Sequence, residues 1–379
     1  MAPPDVVHAE SDSALGVQQI PGRVVRTGEA VAAADLDDEQ LQLLLHGCSA
    51  TVFSGSGLGK IVGFSRKQDL VSGWERGARR LIADIMTDTG AMFDAIYAQG
   101  PPLAPLLLAL ELSGKHGVPL LFDLVAPFEG RSGSGTKNEL AKAEEKIVTS
   151  GHPIITPTRD LKEYFLKKYF GRVTHRDISI LPDIGNACEM VALREVPTMT
   201  VLADHATKKS TKLFFSVLGR SLKSFGGFVI SPVQIRFCGG DPKQVARYSR
   251  IYLPSEITTL TLPKLQGGDI RRSSVFVVLQ AVELESMLTL PSIALDALCM
   301  GTPLFVIGPD GPASRLAVET GGVFAPYEDT DAIERLFGRA FGLLRGESPV
   351  PVPVRVSERF SAPAIMDDLS KLLAYLLPV

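Results

Sequence analysis

The stretch from Ser273 to Ile307, SSVFVVLQAVELESMLTLPSIALDALCMGTPLFVI, decides the fold. Ser274 to Leu279 is an unbroken apolar run bounded by polar residues, which predicts a strand with both faces covered, in a parallel sheet under helices. An irregular loop holding Glu283 and Glu285 follows, then a helix opening at Pro291-Ser292. Gly301-Thr302-Pro303 turns the chain into a second strand, Leu304 to Ile307. Asp296 falls about one turn inside the helix. Open α/β sheets bind phosphorylated ligands where a loop leaves the carboxyl end of a parallel strand and feeds a helix, because the free amides and the helix dipole favour anions. The ligand site is therefore expected at the start of this helix.

Working outward, strands and helices alternate as a doubly wound protein requires. In the first half, Ala50 to Phe53, Ala95 to Tyr97, Pro119 to Leu124 and Pro153 to Thr156 have strand character. Helical stretches lie near 74–87, 103–116, 137–149 and 159–170. A second series begins after Pro197, with strands at Thr198 to Ala203, Val233 to Phe237 and Ile257 to Leu260 and a helix at Lys209 to Ser221. The second of these strands runs into Gly239-Gly240. Pro349 to Pro353 predicts an extended linker, and Ala364 to Leu377 a final helix.

Composition bounds the function. A chain of 379 residues exceeds the usual size of one core and predicts two domains. With 45% hydrophobic and 21% charged residues it is neither disordered nor a bundle of membrane spans. The longest apolar run, Pro101 to Leu112, is broken by Pro105 and Glu111 and is too short to cross a bilayer. The first residues, MAPPDVVHAESDS, lack the basic start and apolar core of a secretory signal. Cys48, Cys188, Cys238 and Cys299 are scattered without a CxxC pair, which predicts reduced thiols and a cytoplasmic setting. A net charge of -3 gives no reason to expect nucleic acid as a partner. The six histidines show no metal-ligand spacing.

LPSIALDALCMGTPLFVI resembles the second half of the donor-binding signature of family 4 retaining glycosyltransferases. These are enzymes of the GT-B fold, in which two doubly wound Rossmann-like domains face a cleft. Asp296 stands where the family carries its second acid, which accepts hydrogen bonds from the nucleotide ribose. Leu288 takes the place of the first acid, with Glu285 and Glu283 the nearest carboxylates to stand in. DAIYAQGPP (Asp94 to Pro102) and the following LAPLLLALELSGKHGVPLLFDLV are similar to the family's amino-terminal domain, and Pro182-Asp183-Ile184-Gly185 to the turn before its linker. VLADHATKKSTKLFFSVLGRSL resembles the first strand and helix of the nucleotide domain, where an Arg and a Lys grip the pyrophosphate. Lys209 falls on that Lys, and Asp204 or His205 on the Arg. The resemblance implies an acceptor-side domain over 1–190, a nucleotide-sugar domain over 197–355, and residues 356–379 crossing back as a helix.

The same resemblance implies transfer of a sugar from a nucleotide-diphosphate donor to an acceptor hydroxyl, with retention and without a metal or other cofactor. The expected partners are the nucleotide sugar and a glycan, lipid-linked or protein acceptor. Donor contacts are expected from Gly57, Gly59, His205, Lys209, Gly239, Pro291, Ser292 and Asp296, and catalytic roles from Asp123 and Glu285. Competing readings accompany several of these. Ser54 to Lys60 (SGSGLGK) misses the phosphate-loop spacing, which needs Gly at 54 and Ser or Thr at 61. Its glycines then either face the donor diphosphate or form a plain turn. Asp123 ends a buried strand, either to touch the acceptor or to hold its turn through backbone amides. The helix from Leu161 to Arg176 interleaves aromatics with Lys162, Lys167, Lys168, Arg172 and Arg176. This pattern suits either an ordinary solvated face or peripheral contact with anionic lipid at the inner face of a membrane. Two other functions stand beside the transferase: a non-catalytic GT-B-shaped subunit supporting a partner transferase, and a sugar-nucleotide epimerase.

Overall fold

The computed structural model describes residues 78–79, 82–83, 94–101, 103–128, 137–185, 196–203, 206–224, 233–263, 265, 269–270, 272–346 and 354–376. The expected strand at Ala50 to Phe53, the glycines of 54–60, His205 and the Pro349 to Pro353 linker lie outside them. The chain divides into two compact units. One takes residues up to Ile155 together with Tyr169–Asp177, the other Thr156–Lys168 together with Ile178–Pro378.

A four-stranded sheet in the order β1-β2-β3-β4 is built from β1 (Ile96–Gly100), β2 (Leu120–Leu124), β3 (Ile154–Thr156) and β4 (Ile178–Ile180). β1 pairs with β2, and β2 with β3, in parallel. The intervening helices are α1 (Leu103–His116), α2 (Lys137–Val148) and α3 (Arg159–Lys168). Every residue of β2 is buried, as its sequence LLFDL requires of a strand covered on both faces. Asp123 is the exception in chemistry and not in burial.

The second sheet holds β5 (Thr198–Leu202), β6 (Val233–Cys238), β7 (Ile257–Leu262), β8 (Val275–Leu279), β9 (Leu304–Ile307) and β10 (Val323–Ala325). All its pairings are parallel, in the order β10-β9-β8-β5-β6-β7. Counted from β5 this is the 3-2-1-4-5-6 order of a dinucleotide-binding sheet, with its reversal between β5 and β8. Helices α4 (Lys208–Ser224), α5 (Pro242–Tyr252), α6 (Leu284–Leu288), α7 (Ser292–Cys299) and α8 (Pro312–Glu319) lie in the crossovers, and α9 (Thr330–Leu344), α10 (Val354–Arg359) and α11 (Ala362–Leu376) follow β10.

Side-chain alternation distributes two cores. Val275, Val277 and Leu279 of β8 join Met199 and Val201 of β5 under Phe214 and Phe215 of α4 and Phe337 and Phe341 of α9. Phe276 and Val278 point the other way, toward Leu295 and Leu298 of α7, Leu316 of α8 and Phe360. Phe214 meets Phe215, Phe237 and Phe337 edge to face at centroid distances of 5.3, 5.7 and 5.4 Å, which makes it the hub of the first cluster.

One local reading changes. The segment holding Glu283 and Glu285 is not an irregular loop: Leu284–Leu288 closes into a short helix with Glu283 at its N-cap. Its apolar residues 284, 287 and 288 have helical spacing, which five residues are too few to reveal. Val354–Arg359, immediately beyond the proline run, is likewise helical. The Gly301 turn is as expected. Gly301 has φ +70°, the Gly301 amide donates to the Leu298 carbonyl at 2.9 Å and the Thr302 amide to that of Ala297 at 2.8 Å. This double closure ends α7 and aims the chain into β9.

Replacing Phe214 by Ala empties the centre of the aromatic cluster. It should destabilise the protein by about 3–5 kcal/mol, read as a lowered midpoint of urea unfolding.

Candidate functional site

Because the six strands are parallel, every loop leaving a carboxyl end emerges along one edge of the second sheet. Lys209 lies at that edge as the second residue of α4, after β5. Gly239 follows β6, in a turn where it and Gly240 have φ +89° and +70°. Glu285, Pro291, Ser292 and Asp296 all follow β8. Every described donor residue expected from the sequence thus lies along one edge of the second sheet. His205, Gly57 and Gly59 lie outside the described residues. Asp123 belongs to the other sheet.

The start of α4 is positively charged twice over. Lys208 and Lys209 are its first two residues, both exposed, and the first turn holds no acid. Thr207 caps it, its hydroxyl accepting from the Ser210 amide at 3.2 Å. Two ammonium groups at the positive end of a 17-residue helix work against the dipole. An anion bound there would relieve that cost.

After β8, Gln280 is buried at 4% exposure. Its Nε2 donates to the Ser286 carbonyl at 3.1 Å, while its Oε1 has no partner among the described residues. Glu285 is half-buried in the first turn of α6, and Thr289 closes that helix by donating its amide and its hydroxyl to the Glu285 carbonyl, each at 2.8 Å. Leu288 is half-buried, and its carbonyl accepts from the Thr158 hydroxyl within the second unit. Pro291 takes the N-cap position of α7 without a side-chain cap, which leaves the first amides of the helix for a ligand. Asp296 is half-buried one turn in, on the side of Cys299. Burial, and next the Asp296 charge, push the Cys299 thiol above its ordinary range.

In the first unit a polar cluster stands on the sheet itself. Gln99 is directly across from Asp123 in the β1–β2 register, and Tyr97 is two residues back on the same face. Tyr97 and Gln99 both donate to Asp123 Oδ2, Gln99 at 2.7 Å. Asp123 is 8% exposed, and burial raises its carboxyl above the usual range although both hydrogen bonds pull it down. Sequence reading found Asp123 and missed the pair holding it. The signal was the alternation of Tyr97 and Gln99 along an otherwise small and apolar strand. Among the described residues no group of three or more His, Cys, Asp or Glu is placed to hold a metal ion. Among them also no helix is long and apolar enough to cross a membrane.

No protein-family model matches the sequence, and comparison with curated proteins finds no match. Solved structures do match. Sucrose-phosphate synthase from Thermosynechococcus elongatus superposes with a TM-score of 0.56 at 14% identity, over 81% of this chain and 78% of that one. A UDP-forming α,α-trehalose-phosphate synthase from Burkholderia xenovorans gives 0.55 at 12% identity, over 86% and 81%. The fold is GT-B. A glycosyltransferase from Rickettsia africae gives 0.52 at 10% identity, over 87% and 84%. At these identities the likeness establishes the GT-B architecture of two Rossmann-like units and nothing finer.

The raised Asp123 carboxyl has a thermodynamic consequence. A carboxyl harder to ionise in the fold than in the unfolded chain stabilises relatively more at low pH and loses that contribution as pH rises through its folded value. Wild type and Asp123→Asn should therefore differ least below about pH 4, where the unfolded-state carboxyl is protonated. The wild-type melting temperature should fall relative to the variant as pH approaches 7. Thermal melts of both proteins across this range check it, and a wild type that gains on the variant instead would mean that the Tyr97 and Gln99 bonds outweigh burial.

Proposed function

We propose that this protein is a glycosyltransferase that moves a sugar from a nucleoside-diphosphate donor to an acceptor hydroxyl. The observation that carries the reading is the lysine pair at the start of α4, at the reversal point of a sheet with dinucleotide-binding order. Its GT-B fold is shared with synthases whose own names specify sugar phosphates and, in one case, formation of UDP.

In glycosyl transfer the bond from the anomeric carbon to the phosphate oxygen breaks as positive charge grows on the sugar ring and negative charge on the departing diphosphate. Lys208, Lys209 and the amide-rich starts of α4 and α7 supply fixed positive potential for that diphosphate. Asp296 accepts from the ribose hydroxyls, one turn below the α7 start. Gly239, without a side chain, lets the backbone after β6 approach the donor. Pro291 and Ser292 open α7 toward the phosphates, and Glu285 is the carboxylate on the donor side nearest the position of the missing first acid. Asp123, held by Tyr97 and Gln99, is the carboxylate that touches the acceptor hydroxyl. Its raised carboxyl tunes it toward accepting a proton as that oxygen attacks. Retention and the absence of a metal requirement belong to this reading as expectations from the family resemblance, and a cytoplasmic setting as one from the scattered cysteines.

One observation favours the non-catalytic reading. Leu288 stands at the first-acid position, with its carbonyl engaged by Thr158.

Calorimetry of the whole chain with uridine, guanosine, adenosine and cytidine diphosphates and their sugars separates the two readings in stages. The transferase reading expects one nucleotide class to bind. Asp296→Ala and Lys209→Ala should each weaken it about tenfold, the cost of losing one hydrogen bond to a charged or polar group. Binding of none of these ligands overturns a donor site. Binding without sugar release in the presence of glycan and lipid-linked acceptors identifies the supporting subunit.

A further inference from the structure

α6 is five residues long and buries none of its side chains. A helix so short does not hold itself, because nucleation is costly and the apolar packing that usually offsets it is missing. What fixes α6 is its backbone carbonyls, which a helix of this length leaves largely without internal partners. The Glu285 carbonyl accepts from the amide and the hydroxyl of Thr289, each at 2.8 Å. The Ser286 carbonyl accepts from Gln280 Nε2 at 3.1 Å. Met287 lies against Gly311, where a Cβ would stand 3.2 Å from the Met287 carbonyl oxygen and 3.3 Å from its Cα. The last carbonyl, that of Leu288, accepts from the hydroxyl of Thr158, which lies 130 residues earlier in the chain.

The Thr158 hydroxyl is engaged on both sides. It accepts from the Leu161 amide at 3.2 Å, which caps the start of α3, and it gives its own proton to Leu288. Thr158 is 7% exposed, and its carbonyl accepts from the Thr156 hydroxyl at 3.3 Å, which holds the turn. Two residues on, Asp160 pairs with Arg315 of α8, whose other terminal nitrogen lies 3.5 Å from Asp310, the neighbour of Gly311. The start of α3 therefore grips both α6 and the turn on which α6 rests. All these residues belong to the second unit.

The side chain that α6 brings to the donor edge is Glu285. A carboxylate is repelled by a diphosphate of like charge and accepts hydrogen bonds without donating them. The part of the donor that it favours is therefore the sugar, with its hydroxyl donors. We propose that Thr158 is a positioning residue of the donor site: by donating to the last carbonyl of α6 it sets Glu285 against the sugar of the nucleotide-sugar donor. The inference rests on the donor site, and on the place of Glu285 in it, proposed above. It predicts a loss confined to the sugar-dependent part of binding.

The test is calorimetry of the whole chain with the uridine, guanosine, adenosine and cytidine diphosphates and their sugars, on wild type and on Thr158→Gly, Thr158→Val and Thr158→Ser. Glycine caps a helix start about as well as threonine but has no hydroxyl to donate, whereas serine keeps both bonds. Thr158→Gly should weaken the bound nucleotide sugar about five- to tenfold and leave the matching diphosphate within about twofold, as expected for one misplaced polar contact. Thr158→Val, close to threonine in shape, should show the same selective loss and carries the test by itself if Thr158→Gly does not fold. Thr158→Ser should bind like wild type. Glu285→Ala should lose the sugar-dependent binding on its own, and adding Thr158→Gly to it should cost nothing further, because Thr158 acts through Glu285. Equal loss for diphosphate and nucleotide sugar, no loss in Thr158→Gly and Thr158→Val, or additive losses in the double variant overturns the positioning role and leaves the donor site standing. A wild type that binds the diphosphate but whose nucleotide-sugar affinity ignores Glu285→Ala overturns the role of Glu285 and this inference with it. Failure of the wild type to bind any of these ligands overturns the donor site itself.

Discussion

The constraint on which the second unit depends is the parallel pairing of β5 with β8, Met199 against Val275 through Leu202 against Val278. Parallel neighbours cannot be joined by a tight turn, so each strand must hand the chain to a crossover that returns over a face of the sheet. Both faces are then covered, and the strands must be apolar throughout, as VFVVL and LFVI are. All exits fall on one edge. Since β5 leads outward to β6 and β8 leads outward to β9, the helices after these two central strands diverge and leave backbone amides open between them. The candidate donor site is thus a product of strand order before any functional side chain is considered.

The parts of the fold that this logic governs were legible. Leu103–His116 and Leu304–Ile307 are found at the residues that hydrophobic pattern and turn signals predict, and the Gly301 turn follows from its glycine and proline. Less legible were elements whose stabilisation is tertiary. α5 announces itself only through Asp241, which caps it by accepting from the Lys243 amide at 2.9 Å, and Pro242 in its first turn. Its buried side chains are only Val245 and Tyr248, so the apolar stripe is too sparse to stand out. β7, at the sheet edge, has no fully buried residue and shows a weak pattern for that reason. α6 is too short for periodicity.

The site divides along the same line. Groups that follow a strand in sequence, Lys209, Pro291, Ser292 and Asp296, could be placed by reading forward from the strand. Groups that act across the sheet could not. Tyr97 and Gln99 meet Asp123 only because β1 and β2 pair in one register, and shifting that register by one residue would send both side chains to the opposite face. Tyr327 comes from the far edge, 47 residues from its acceptor at Gln280. No local pattern links such positions.

The two polar clusters also use burial in opposite ways, and this bears on what each can do. At Asp123 the protein withdraws a carboxylate from water and supplies two donors that do not fully compensate, so its carboxyl lies above the usual range. At the α4 start the charges remain exposed, where solvent screens them, as does the Thr207 that caps the helix, while Ser210 behind them is buried. A carboxyl that is to accept a proton gains from a dry setting. A lysine pair that must stay charged and meet a mobile anion gains from a wet one, provided that its backbone is fixed. At the α4 start that fixing comes from the Thr207 cap, whose hydroxyl accepts from the Ser210 amide at 3.2 Å.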